Sequence, residues 1–253
     1  MGRYGSVTSF VLATLSAAIL IATGPVSIGP AVAAEGGGSN GPYFRVFGGW
    51  SLIDSPSMQG DNISNGSTGN GTGRGTLHQD NAPWGGAAAG YRFGPFRLEA
   101  MGSYESHGLN SFDSPQFTYV NTAGARRTDL NAHPTLDGNL SVVTGFLNAV
   151  LDVKFGSAFE PFVGGGIGFA HARMNDVSGV SMGNNFKFPD SSDTVLAFQA
   201  LVGFAYRFTP TIAAEAGYRY LSLNDPSFSD NLGGSYDLSV NSHQAWIGLR
   251  VDF

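Results

Sequence analysis

The chain has 253 residues and a net charge of −6, and its charged residues make up 13% of the sequence, about half the usual share of ~25% in soluble domains. The acidic balance excludes a nucleic-acid-binding protein that needs a basic face. The absence of cysteine excludes disulfide frameworks, thiolate metal sites and cysteine nucleophiles.

The first 34 residues predict a secretory signal peptide. One cation, Arg3, precedes the apolar stretch Phe10–Ala22, and an Ala-Val-Ala sequence at 31–33 offers a cleavage site between small residues. An uncleaved helical anchor is the alternative, but the apolar run is short for a membrane span. We therefore expect a cleaved leader over residues 1–34 and one folded domain over residues 35–253. No later segment is long enough for a membrane helix, so insertion into a bilayer would require a closed β-barrel.

Beyond the leader, apolar side chains recur at every second position in eight segments, a period that predicts eight β-strands. An even number of strands is typical of single-chain outer-membrane barrels. The apolar faces are, in chain order, Phe44–Leu52, Ala87–Phe93, Phe96–Tyr104, Gly145–Phe155, Val163–Phe169, Phe198–Phe208, Ile212–Tyr220 and Ala245–Phe253.

Long and short connections alternate strictly along the chain. Tight turns are predicted at Gly94-Pro95, after Gly156 and at Thr209-Pro210, and the glycine-rich run Asn65–Gly75 predicts a flexible coil within the first long connection. The alternation predicts an all-β, eight-stranded antiparallel up-and-down transmembrane β-barrel with four long external loops and three tight periplasmic turns. The long connections are Asp54–Pro83, Gly108–Gly138, Met174–Ser192 and Asn224–Asp237.

The polar faces of these segments carry seven cationic and five anionic side chains, too few to coat a water-exposed barrel. Aromatic residues on the apolar faces cluster near both strand ends, as expected for two membrane interfaces. We therefore expect the apolar faces to contact lipid and the charges to form a network in the lumen. That network comprises Arg45, Arg92, Arg97, Glu99, Glu105, Asp152, Lys154, Arg207, Glu215, Arg219, Arg250 and Asp252.

Three short motifs carry a family resemblance. The C-terminal segment Trp246–Phe253 resembles the assembly signal of bacterial outer-membrane barrels, and Pro161–Gly168 and Gly217–Tyr220 are similar to recurring strands of the same proteins. Trp246 departs from the signal, which usually has a polar residue there. Over Gly41–Phe253 the chain resembles the small OmpA-like, opacity-type barrel family, and we expect no periplasmic C-terminal domain.

The resemblance implies a location and a set of partners. We expect a protein of the Gram-negative outer membrane that contacts lipid and lipopolysaccharide and does not bind nucleic acid, while any ligand of its loops is unknown. Gly248, Val251 and Phe253 are the expected recognition positions for the barrel-assembly machinery.

Two chemical alternatives remain for the interior. An eight-stranded barrel is only wide enough for side chains, which favours a plug of mutually neutralised charges over a narrow ion path. Ser103, Glu105 and His107 share one strand face, and lipid A deacylases of this fold use serine, histidine and an acid. Three alternate residues on one strand rarely form a hydrogen-bonded relay, so we expect no catalytic residue.

The histidines show no metal-ligand spacing, and we expect no metal or cofactor. The sequence therefore favours a non-enzymatic outer-membrane protein that serves the envelope structurally or interacts through its loops. A narrow solute or ion channel is the first alternative, and a membrane-embedded lipid hydrolase is the second.

Overall fold

A computed structural model describes residues 40–53, 57–64, 70–153, 158–229 and 235–253. The predicted signal peptide and Lys154 of the predicted network lie outside the described residues. Within the described part of the chain, no helix is long and apolar enough to span a membrane.

The described residues form fourteen strands, and these belong to one antiparallel system. Six are short and lie within the predicted long connections, and the other eight correspond to the alternating segments of the sequence. In chain order the strands are β1 (Gly41–Ile53), β2 (Ser57–Ser64), β3 (Asn70–Gln79), β4 (Ala82–Phe93), β5 (Phe96–Val120), β6 (Arg126–Ala132), β7 (Thr135–Asp152), β8 (Phe159–Ser181), β9 (Asn184–Lys187), β10 (Ser191–Arg207), β11 (Ile212–Leu223), β12 (Ser227–Ser229), β13 (Ser235–Leu238) and β14 (Asn241–Asp252).

Eight of these strands close into a ring. Each pairs with its neighbour in the order β1, β4, β5, β7, β8, β10, β11 and β14, and β14 pairs back onto β1 over Ile53↔Ser242 to Tyr43↔Asp252. Closure satisfies the backbone hydrogen bonds of both end strands, which is required in a bilayer. The prediction of an eight-stranded up-and-down barrel is confirmed.

The strand faces follow the predicted alternation. On β14, Ile247 is 71% exposed whereas the adjacent Trp246 is 4% exposed, and on β7, Leu147 is 69% exposed whereas Asn148 is 3% exposed. Because the exposed side chains are large and apolar, the outer surface of the ring suits lipid and the inner surface holds the polar groups.

The long connections are more regular than the sequence predicts. β5 and β8 run 25 and 23 residues and continue past the barrel, where β2, β3, β6, β9, β12 and β13 pair with them or with one another. We call these six strands, with β5 beyond Gly108 and β8 beyond Met174, the extension. The flexible coil predicted for Asn65–Gly75 is wrong where it overlaps β3, because that part of the glycine-rich backbone pairs with β2.

An aromatic core orders the extension. The ring of Phe117 lies 5.7 Å from Phe112, 4.9 Å from Tyr119 and 5.2 Å from Phe186. These side chains come from β5 and β9, and all are buried. Buried aromatic pairs at these distances add to the free energy of area burial, so two long connections are fastened to each other outside the barrel.

Inside the ring, glycines make room for large inward side chains. A Cβ atom on Gly217 would lie 2.9 Å from the Trp246 ring and 2.8 Å from the Val202 carbonyl oxygen. A Cβ atom on Gly145 would meet nothing within 4 Å, because that residue faces outward.

Replacing Gly217 with valine therefore tests the packing of the interior. We expect Gly217→Val to lower the free energy of unfolding by about 2 kcal/mol, since overpacking forces the indole out of its position. Urea unfolding in lipid vesicles measures the change. The matched control, Gly145→Val, faces open space and should leave the unfolding midpoint nearly unchanged; equal destabilisation by both variants would contradict the steric explanation.

Candidate functional site: the barrel interior and the extension

The ring encloses six arginines and six carboxylates, all buried. Eleven of these residues belong to the predicted network, whose twelfth member, Lys154, is not described. The remaining one, Glu160, is missing from the prediction. The arginines are Arg45, Arg92, Arg97, Arg207, Arg219 and Arg250, and the acids are Glu99, Glu105, Asp152, Glu160, Glu215 and Asp252.

Near the tight turns the charges form a continuous cluster. Glu160 Oε2 accepts hydrogen bonds from Arg207 at 3.1 Å and from Arg250 at 3.2 Å. Arg207 also donates to Asp252 Oδ2 at 2.9 Å, and Arg97 Nη2 lies 2.8 Å from Asp152 Oδ1. Since a buried charge without a counter-charge costs several kcal/mol, these shared contacts allow arginines and carboxylates to lie together in the buried interior.

Two glutamates connect this cluster to the middle of the barrel. Glu215 lies 2.5 Å from Arg250, 3.4 Å from Arg97 and 3.6 Å from Arg45. Glu99 lies 2.6 Å from Arg45 and accepts hydrogen bonds from the Tyr43 hydroxyl at 2.7 Å and the Asn148 amide at 2.9 Å. Each carboxylate therefore balances several donors, so the charges act as a network rather than as separate pairs.

A layer of aromatic rings lies beyond the middle of the network. Phe47 contacts Trp84 and Trp246 with ring centroids 5.3 and 5.9 Å apart. The Arg45 guanidinium lies 5.1 Å from the Trp246 ring, and the Arg219 guanidinium lies 5.0 Å from the Trp84 ring. These cation–ring contacts cross the interior of the ring, where an eight-stranded barrel is only wide enough for side chains.

The Ser103, Glu105 and His107 group does not form a catalytic relay. The Ser103 hydroxyl contacts Thr144 Oγ1 at 2.6 Å and accepts from Arg219 at 3.0 Å. Both ring nitrogens of His107 are engaged elsewhere, with Glu105 at 3.2 Å and with the Asp80 carbonyl at 2.9 Å. A serine nucleophile requires a histidine within hydrogen-bond reach, and this geometry does not provide one.

Glu105 has a structural set of partners. Besides His107, it accepts a hydrogen bond from the Gln244 amide at 2.9 Å. Among the described residues, no group of three or more histidine, aspartate or glutamate side chains is placed to hold a metal ion.

Glu160 is the main interior residue that the sequence analysis missed. It opens β8 two positions before Phe162, on the same inward face. Extending the alternation of Gly164, Gly166 and Gly168 back by two steps reaches it. The signal was present but was hidden by Pro161, which suggests a turn rather than a strand.

In the extension, Asp113 joins three segments. His78 on β3 lies 2.9 Å from one carboxylate oxygen, and His133, between β6 and β7, lies 2.7 Å from the other. The hydrogen bonds from His133 and His78 lower the pKa of the Asp113 carboxyl below its ordinary value. The contact therefore links β3, β5 and the β6–β7 connection at the surface.

The predicted assembly signal lies on the strand that closes the ring. Val251 on β14 pairs with Phe44 on β1 and with Ile212 on β11. Phe253 is 65% exposed, and its amide donates to the Pro42 carbonyl. A Cβ atom on Gly248 would lie 2.6 Å from the Val46 carbonyl oxygen and 3.0 Å from Phe47, so this position requires glycine for packing.

A closed antiparallel ring with an apolar exterior and a packed, charged interior defines a transmembrane β-barrel protein. The chain belongs to the family described as outer membrane protein beta-barrel domain, whose model matches residues 18–253. It is an integral protein of the Gram-negative outer membrane.

Several known proteins are similar to this chain. The opacity protein opA57 of Neisseria gonorrhoeae is 25% identical over 190 residues, covering 66% of this chain and 76% of its own. PagN of Salmonella typhimurium is 28% identical over 100 residues, or 39% and 41% of the two chains. The major surface antigen 4 of Anaplasma marginale is 27% identical over 177 residues, or 65% and 58%.

The fold is also similar to a solved structure. The outer membrane protein OprG from Pseudomonas aeruginosa superposes with a TM-score of 0.52 at 15% identity, covering 85% of this chain and 98% of that one. This likeness supports the barrel fold.

The interior network predicts a large effect from removing one shared carboxylate. We expect Glu215→Gln to lower the free energy of unfolding by about 3 kcal/mol, because Arg45, Arg97 and Arg250 lose a common counter-charge in a buried site. Urea titration of the protein in lipid vesicles measures this change in the free energy of unfolding. Asp176→Asn removes an acid from an exposed ion pair with Lys187 and should have little effect; a similarly small effect of Glu215→Gln would refute the shared-charge account.

The Asp113 contact predicts a pH dependence with a definite sign. Folding lowers the pKa of Asp113, so the contact stabilises the extension at pH values above the unfolded-state pKa of about 3.9. This stabilisation is lost as the pH falls through the lower pKa of the folded state. Hydrogen exchange of the β6 amides measured against pH should show faster opening in acid. Asp113→Asn should flatten this pH dependence, and Asp137→Asn should leave it unchanged. If exchange in Asp113→Asn still depends on pH as in the wild type, other groups cause the dependence.

Proposed function

We propose that this protein is non-enzymatic and acts at the cell surface, with the barrel as its anchor and the extension as its interaction surface. The observation that carries the proposal is the buried aromatic core of Phe112, Phe117, Tyr119 and Phe186 outside the barrel. An ordered surface loses less conformational entropy on binding than flexible loops do. A chain that needed only an anchor would have no use for a packed core outside the membrane.

The interior supports this proposal over a channel. Balanced charges and the aromatic layer fill a ring that has little room beyond its side chains, and conduction would require breaking several buried ion pairs together. The interior is therefore best understood as a structural plug that holds the barrel rigid beneath the extension.

Two further observations support the surface role. The major surface antigen 4 of Anaplasma marginale, by its name, is a surface protein. The extension also exposes large apolar side chains to water, with Leu130 at 66% and Met182 at 68% exposure. The extension also carries exposed charged residues, among them Arg127 and Lys187, and a surface of mixed apolar and charged groups suits contact with a partner.

Insertion would use the C-terminal strand. We propose that the barrel-assembly machinery recognises Gly248, Val251 and Phe253, since β14 completes the ring and the exposed aromatic residue Phe253 directly follows it. This chain belongs to the outer-membrane barrel family, and the resemblance of Trp246–Phe253 to the assembly signal supports this proposal.

The surface role is tested on whole cells. Adherence to cultured epithelial cells is compared between a non-adherent bacterial host and the same host expressing the protein. We expect several-fold higher adherence with the wild-type protein, and loss of most of that gain in Arg127→Glu/Leu130→Asp, which changes exposed side chains of β6 and leaves the aromatic core intact.

A control variant, Thr211→Glu, adds a charge at the opposite, tight-turn rim and should adhere like the wild type. Surface expression and a heat-dependent shift on SDS gels verify that each barrel is folded. Wild-type adherence by the β6 variant, with both checks passed, would exclude β6 from the interaction surface, and no gain from the wild-type protein would reject adhesion as its activity.

A further inference from the structure

The strand β6 lies at an edge of the extension. Within the described ranges it pairs with β5 alone, whereas every strand of the barrel ring has a partner on both sides. Most of its residues are exposed, including Thr128 and Leu130. The edge of a strand presents backbone donors and acceptors in the geometry that a further strand requires. The extension therefore offers a template for strand addition outside the barrel.

The hairpin between β5 and β6 fixes which backbone groups face this edge. The Ala125 carbonyl accepts a hydrogen bond from the Asn121 amide at 2.9 Å. Backbone groups of an antiparallel strand point alternately to its two sides, so those of Arg127 also point towards β5 and those of Thr128 point away. Thr128 and Thr118 are then a pair without mutual backbone hydrogen bonds, in which side chains lie close, and their hydroxyls are 3.1 Å apart. We call the side of β6 that faces away from β5 the outer edge.

The sequence of β6 is charge-complementary to itself. Arg127 and Asp129 flank Thr128 and lie on the same face of the strand. When two copies of β6 pair antiparallel with Thr128 opposite Thr128, each Arg127 lies opposite Asp129 of the other copy. The backbone groups of the two outer edges also meet in this register, because Leu130 of one copy lies opposite Arg126 of the other.

The neighbouring registers of this strand pair are disfavoured by charge. A shift of two residues keeps the backbone groups of the outer edges aligned. In one direction it places Arg127 opposite Arg127, and in the other it places Asp129 opposite Asp129. Opposite charges directly across a strand pair stabilise it, whereas like charges destabilise it. The charge pattern therefore selects the register centred on Thr128.

Both side chains can take part in this pairing. The ion pairs among the described residues do not involve Arg127. Asp129 accepts hydrogen bonds from the Tyr119 hydroxyl at 3.1 Å and the Ser181 hydroxyl at 2.5 Å, and both reach the same oxygen, Oδ2. These contacts leave Oδ1 for another donor and hold the carboxylate in one orientation, which lowers the entropy lost when it binds a partner.

We propose that two copies of this protein associate through the outer edges of β6 and form an antiparallel strand pair centred on Thr128. Backbone groups of Arg126, Thr128 and Leu130 supply the hydrogen bonds, and Arg127 of each copy pairs with Asp129 of the other. This contact of the chain with itself goes beyond the adhesion proposed above. It is tested on purified protein, so the result does not depend on adherence to cells.

Cysteine crosslinking tests the register. The chain has no cysteine, so Thr128→Cys introduces its only thiol. In the proposed pair the two Cα atoms of residue 128 lie about 5.5 Å apart, within the range that a disulfide spans. We expect mild oxidation of the folded variant in detergent micelles to convert most of it into a covalent dimer on non-reducing SDS gels.

Leu130→Cys is the matched control, because it places a thiol on the same strand at another exposed position. Leu130 lies opposite Arg126 of the second copy, so the two Leu130 positions are about 14 Å apart, too far for a disulfide. This variant should form several-fold less covalent dimer. Equal crosslinking of the two variants, or no crosslinking of Thr128→Cys, would overturn the proposed pairing.

Charge reversal tests the specificity of the contact. Arg127→Glu puts like charges opposite each other at two positions, and we expect dimerisation to weaken about tenfold. Native mass spectrometry over a range of protein concentrations measures it. Arg127→Lys should dimerise like the wild type, and so should Lys187→Glu, which reverses an exposed charge on β9.

A heat-dependent shift on SDS gels verifies that every variant is folded. The proposal is rejected if the wild-type protein stays monomeric at all concentrations, if Arg127→Glu dimerises as well as the wild type, or if Lys187→Glu weakens dimerisation as much as Arg127→Glu does.

Discussion

The constraint on which the rest of the structure depends is charge balance inside a ring too narrow for bulk water. Every inward arginine must find a carboxylate, a hydroxyl or an aromatic face, because hydration cannot compensate it. Glu215 and Glu160 satisfy this requirement by serving several arginines at once. The arrangement fixes the side chains of facing strands relative to each other, so the ring is held from within as well as by its backbone hydrogen bonds.

The aromatic layer and the inward glycines also contribute to the packing of the barrel interior. Trp246, Trp84 and Phe47 span the interior beyond the middle of the charge network, and glycines such as Gly217 leave space for the rings. Arg45 and Arg219 lie against these rings, which joins the polar and apolar layers. Inward glycines of the described barrel strands, such as Gly217, thus serve the packing of a thin barrel around large side chains.

The sequence predicts the barrel well because lipid imposes a strict period of two on each spanning strand. The outward positions of Leu147 and Ile247 and the inward position of Glu215 follow directly from that period. Glu160 was missed because a proline at the strand start imitates a turn. The strands of the extension were missed because, outside lipid, both faces contact water or protein and the alternation weakens, as in glycine-rich β3. Which arginine pairs with which acid depends on the stagger between strands, and a single sequence does not carry that information.

The β-structure of the extension has a consequence for how this surface can change. Around the β8–β9 hairpin, Val180 and Met182 face water, whereas Ser181 and Phe186 are buried, and Ser181 donates to Asp129 of β6. Substitutions can therefore accumulate at alternate positions while the residues between them stay fixed. Divergence of this surface between related sequences would then follow a spacing of two, unlike the continuous divergence of unstructured loops.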